Sequence, residues 1–89
     1  MTINFGDVLT FKATITDEKN NLMIGINNHL IKLLNPRGTI IQTTEDYTEL
    51  GRGVYETKIT LPISGAGGIW TLIWQIGGES EKHRFRVKP

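Results

Sequence analysis

Apolar and polar side chains alternate with a period of two along most of this 89-residue chain. Residues 69–76 show it most clearly. Trp70, Leu72, Trp74 and Ile76 fall on one face, so both tryptophans of the protein share that face. A strand repeats its side-chain direction every two residues, which predicts two indoles buried side by side in a sheet. Residues 54–61 place Tyr55, Thr57, Ile59 and Leu61 inward in the same way. Residues 8–16 alternate with Leu9, Phe11, Ala13 and Ile15 on one side. Residues 29–34 predict a further strand. Lys32 must reach water there, so His29, Ile31 and Leu33 form the inward set. Residues 39–44 are rich in β-branched side chains, as strands are. Residues 81–88 close the chain with His83, Phe85 and Val87 against the core.

Turn chemistry separates these runs. The segment DEKNN (17–21) is a turn, because Asn and Asp bond their own backbone and tolerate left-handed angles. Residues 22–26 are apolar around Gly25 and read as a brief edge strand or a kinked crossing. Asn27-Asn28 punctuates again. Asn35-Pro36-Arg37-Gly38 predicts a tight turn, with Pro at the second position and Gly closing it. It joins 29–34 and 39–44 as a hairpin. Residues 45–53 are polar with two glycines, and predict a loop with room for one helical turn. The Pro/Gly-rich stretch 62–68 is a bend, and Gly77-Gly78-Glu79-Ser80 a hairpin loop. About seven antiparallel strands and no convincing helix predict an all-β fold, an immunoglobulin-like β-sandwich filling residues 1–89 as one domain.

Composition narrows this picture. The chain has no cysteine, so a disulfide framework and thiolate metal sites are excluded. In a sandwich without the disulfide of antibody domains, Trp70 and Trp74 must fill the centre by packing alone. Ten basic and nine acidic residues give a net charge of +1, which supplies no argument for nucleic acid. No apolar run approaches the ~20 residues of a membrane-spanning helix. The opening MTINFGDV has neither the basic nor the apolar segment of a secretory signal, so none is expected.

Candidate chemistry is sparse. His29 and His83 lie on distant strands with no second ligand at metal-binding spacing, so both read as structural. Ser64 and Ser80 lack a nucleophile-elbow pattern. The sequence SGAGG (64–68) lacks the Lys-Ser/Thr of a phosphate loop and precedes a strand, so it reads as a bend. Glu45, Asp46 and Glu49 cluster in the polar loop without the spacing of an EF-hand, and read as a solvated loop. No catalytic residue, cofactor or metal site is expected. Lys82, Arg84, Arg86 and Lys88 alternate, so all four project from one face of the last strand. Such a ladder keeps an exposed face soluble and discourages edge pairing. It also suits an acidic partner or phosphates, although no stacking aromatics interleave with it. Glu45 and Glu56 are its candidate counterions.

The punctuation carries a resemblance. It comprises Pro36-Arg37-Gly38, Gly53-Val54-Tyr55, Gly68-Ile69-Trp70, Trp74, Gly77-Gly78 and Phe85-Arg86-Val87, after an opening Gly6-Asp7-Val8. With these the chain resembles small phage-encoded immunoglobulin-like proteins of head, neck and tail. It is similar, too, to bacterial immunoglobulin-like modules. The resemblance implies a virion-associated structural or accessory protein, assembled in the host cytoplasm. It would bind other virion structural proteins, with homo-oligomers common in the group and no shared catalytic residues. The contact regions expected on exposure and charge are Glu45, Asp46, Glu49 and Arg52 in the polar loop, and Lys82, Arg84, Arg86 and Lys88 on the last strand. The alternative is an adhesion or carbohydrate-binding module, which needs exposed aromatics; only Phe5 and Tyr47 are uncommitted to the inward face.

Overall fold

The computed structural model describes residues 3–16, 19, 21–22, 25–26 and 28–89. Seven strands make up the order: β1 (Val8–Thr14), β2 (His29–Leu34), β3 (Ile40–Thr44), β4 (Thr48–Gly51), β5 (Val54–Thr60), β6 (Gly68–Ile76) and β7 (Glu79–Val87). They form two antiparallel sheets, ordered β1-β5-β4 and β3-β2-β6-β7. This is an all-β, immunoglobulin-like sandwich. Three hairpins, β2-β3, β4-β5 and β6-β7, stay within a sheet, and the other connections cross between sheets. Residues 17, 18 and 20 of the turn predicted at 17–21 and the middle of the 22–26 piece lie outside the described residues. Thr16 and Leu22 meet there in one antiparallel bridge.

The period-two reading fixes the core. Trp70, Leu72, Trp74 and Ile76 of β6 are all buried, facing Ile31 and Leu33 of β2 on their own sheet and Tyr55, Ile59, Ala13 and Leu61 from the other. Each indole N–H has a partner. Trp70 Nε1 donates to the Ala66 carbonyl at 2.9 Å, and Trp74 Nε1 donates to His29 Nδ1 at 3.0 Å. A buried indole needs such a partner, because an unpaired donor costs about 1–3 kcal/mol.

One expected loop is a hairpin. Residues 45–53 contain β4, which pairs with β5 through Thr48↔Glu56 and Glu49↔Tyr55. No helical turn forms there. The connection is Arg52-Gly53, with φ of 56° and 73°. Positive φ at both central residues is what a two-residue type I′ hairpin turn requires. The other turns match their chemistry. In NPRG the Asn35 carbonyl accepts from Gly38 N–H at 2.9 Å, and Asn35 Oδ1 accepts from the Arg37 and Thr39 amides. At the β6-β7 turn, Ile76 pairs directly with Glu79, so the loop is Gly77-Gly78 alone.

Candidate interaction surfaces

The predicted contact residues fall into two separate groups. Lys82, Arg84 and Arg86 stand on the outer face of β7, and Lys88 follows them; all four are exposed. Their register partners on β6 are Ile73, Thr71 and Ile69, none of them acidic. Glu56 lies on the other sheet, where it pairs with Lys12 at 3.9 Å. The expected pairing of Glu45 and Glu56 with the ladder is therefore corrected: among the described residues no carboxylate forms an ion pair with any of the four cations.

Glu45, Asp46, Glu49 and Arg52 flank and form the β4 hairpin rather than one loop. Glu45 and Asp46 are exposed between β3 and β4. The Asp46 carbonyl accepts from Thr57 Oγ1 at 2.8 Å, which ties the connection to β5. Glu49 turns its side chain to the β1-β2 connection and accepts from Gly25 N–H at 3.1 Å. Arg52 stands exposed at the hairpin tip. No group of three His, Asp or Glu side chains able to hold a metal ion occurs among the described residues.

Sequence reasoning missed an apolar surface. Successive strand residues alternate faces, and directly paired residues share one. The outward positions of the four-stranded sheet are therefore Leu30, Lys32 and Leu34 on β2, and Ile69, Thr71, Ile73 and Gln75 on β6, beside the β7 ladder. On β3, Thr43 pairs with Lys32, and the register shifts between Leu33 and Leu34. Two residues, Ile40 and Ile41, then face one, as at a β-bulge. Ile40, Ile41 and Ile69 are 52%, 41% and 42% exposed. The outer face is thus an aliphatic field bordered by the β7 cations and interrupted by Lys32. No acidic residue occupies an outward position on its four strands. The signal was present: HLIKLL and GIWTLIWQI are apolar at inward and outward positions alike, a pattern of strands covered on both faces.

The histidines are built into the frame. His29 is buried, and its two ring nitrogens are both engaged. Nδ1 accepts from Trp74, and Nε2 donates to the Ile26 carbonyl at 2.8 Å. Tyr47 stacks on the imidazole with ring centroids 3.5 Å apart and donates to the same carbonyl. The Ile26 N–H donates to Tyr55 Oη at 3.1 Å. Three side chains thus hold the backbone of Ile26, in the β1-β2 connection, against the core. His83 packs on Phe11 and lies 3.4 Å from Glu81 without hydrogen-bonding geometry, so its buried Nε2 has no hydrogen-bond partner. The two aromatics left uncommitted by sequence are also engaged. Phe5 meets Trp70 edge-on at 5.9 Å, and Tyr47 covers His29.

The fold and its surface define a class: an immunoglobulin-like sandwich with one amphipathic outer sheet face, apolar in the middle and basic at the β7 border. No protein-family profile matches the chain, and no curated protein matches it.

Proposed function

We propose that this protein is a non-catalytic interaction module of a phage or prophage particle. In this reading it is a head–tail or tail accessory protein that binds other virion structural proteins. The single observation that carries the binding reading is the outer face of β3-β2-β6-β7. Its exposed isoleucines, and its cations without ion-pair partners among the described residues, are what a protein partner would desolvate and neutralise. Contiguous exposed apolar surface on a small domain marks an interaction site. The virion assignment rests on the resemblance of the Gly-x-Tyr and Gly-x-Trp punctuation. The adhesion or carbohydrate reading gains no observation, because no aromatic ring is exposed among the described residues.

Mass spectrometry of purified particles combined with chemical cross-linking tests the assignment. The expected result is the protein in the particle, cross-linked to a structural protein. Absence from particles, with no cross-link to any structural protein, overturns it.

A further inference from the structure

Strand β7 ends the four-stranded sheet and β1 ends the three-stranded one. Along the β7 edge, among the described residues, the chain before β1 makes one parallel bridge, Ile3↔Val87, with Lys88 N–H donating to the Ile3 carbonyl at 3.0 Å. Beyond the bridge, no described residue pairs with the outer edge of β7. Between the two edges opens a cleft of about 510 Å³, lined by the apolar Ile3, Val8, Leu9, Phe11 and Phe85 together with Asp7 and Thr10. Phe11 and Phe85 are only half-buried, with ring centroids 5.7 Å apart.

The backbone direction of that edge can be read. Lys88 N–H points outward, and β7 pairs with β6 without a register shift from Glu79 to Val87. Strand backbone groups alternate sides, so the amides and carbonyls of Arg86, Arg84 and Lys82 also point to the open edge. The edge groups that meet no described residue, those of Lys82 and Arg84, therefore belong to residues that carry the cations. A strand added there would place side chains beside Lys82, Arg84 and Arg86 on the outer face. Its alternate side chains would turn inward over Phe11 and Phe85.

We propose that the β7 edge binds an extended segment of a partner protein in which acidic residues alternate with apolar ones. The acidic side chains meet the ladder, the apolar ones close the β1/β7 cleft, and the backbone extends the sheet. A second copy of β7 is disfavoured in this place, because it would set cation against cation in directly opposed pairs. Like-charge rejection of this kind is how an exposed edge stays selective. Phosphates would satisfy the ladder but not the cleft. The proposal deepens the interaction reading and rests on it only in taking the partner to be a protein.

The probe is a synthetic peptide of about nine residues alternating Glu and Val, a usual strand length. Its binding is followed by fluorescence anisotropy at low salt. Controls are a block-scrambled peptide of equal composition and two N-methylated peptides, one blocked on each alternate set of amides. The alternating peptide should bind. Scrambling, or blocking one of the two amide sets, should weaken it about tenfold or more, and blocking the other set should do little. Arg84→Glu, with an unchanged melting temperature, should weaken binding by a similar factor. Equal binding of the scrambled peptide, or indifference to both N-methylation patterns, would reduce the effect to charge and overturn the proposal. Failure of the alternating peptide, with or without binding of duplex DNA or anionic vesicles, would overturn it too. No particle is used, so failure here leaves the virion assignment standing, and absence from the particle leaves the edge site standing.

Discussion

Single residues hold this sandwich together in ways their types alone do not reveal. His29 is the clearest case. On sequence it is one more inward position of β2. In the fold it accepts from Trp74, donates to Ile26 and carries the ring of Tyr47. Its replacement by alanine orphans the buried Trp74 N–H and leaves a cavity, so His29→Ala should lower stability by about 2–4 kcal/mol. Trp74→Ala should cost about 3–5 kcal/mol, enough to unfold a domain of this size. Denaturant unfolding followed by intrinsic fluorescence measures both, the remaining Trp70 reporting for the second. Arg52 points the other way. A non-glycine residue at φ 56° is strained, and left-handed backbone costs such a residue on the order of 1 kcal/mol. Asn tolerates that region better, so Arg52→Asn should raise the denaturation midpoint by the equivalent of about 0.5–1 kcal/mol without changing the slope. A lower midpoint would show that the guanidinium makes a stabilising contact.

At the scale of elements, the strands with strict alternation were legible. The inward sets of β1, β2, β5 and β6 follow from their sequences, because one buried face makes a period of two visible. The β4 hairpin was not. Its Arg52-Gly53 turn lacks the Asn-Gly or Asp-Gly signature, and β4 is a four-residue edge strand that ends on Gly51, so it reads as loop. The outer apolar face was missed for a related reason. Leu30, Leu34 and Ile73 look like strand propensity until pairing shows that they share a surface with Ile40, Ile41 and Ile69. The four exposed cations were legible, but their lack of counterions among the described residues required the sheet order. Hydrogen exchange should follow that order. The amides of β2 and β6, each paired on both sides within the larger sheet, should be the most protected, and those of β4 among the least. Equal protection of β4 and β6 would contradict the layered arrangement.

For the whole molecule, stability and binding are expected to separate by location. The tryptophan stripe belongs to the core, and the proposed contacts lie on the outside of the same sheet. Ile40→Asp, opposite the apolar Leu34, should therefore leave the melting temperature within a few degrees and weaken partner binding at least about tenfold, because it buries an unpaired charge in the contact. Trp74→Ala should remove binding only together with the fold. A folded Trp74→Ala protein that no longer binds would move the binding surface to the stripe. Binding should also weaken with rising salt, since the ladder's charges are exposed and screened within about 10 Å at 0.1 M.

Lysine reactivity separates the two sheets and tests the contact face most directly. Lys32, Lys82 and Lys88 belong to the four-stranded side, and Lys12 and Lys58 to the outer face of the other sheet. Quantitative acetylation, read by mass spectrometry on the free protein and on the purified particle, compares each lysine with itself. Protection of Lys32, Lys82 and Lys88 with Lys12 and Lys58 still reactive is the predicted result. Protection of Lys12 and Lys58, with Lys32, Lys82 and Lys88 as reactive as in the free protein, would contradict it.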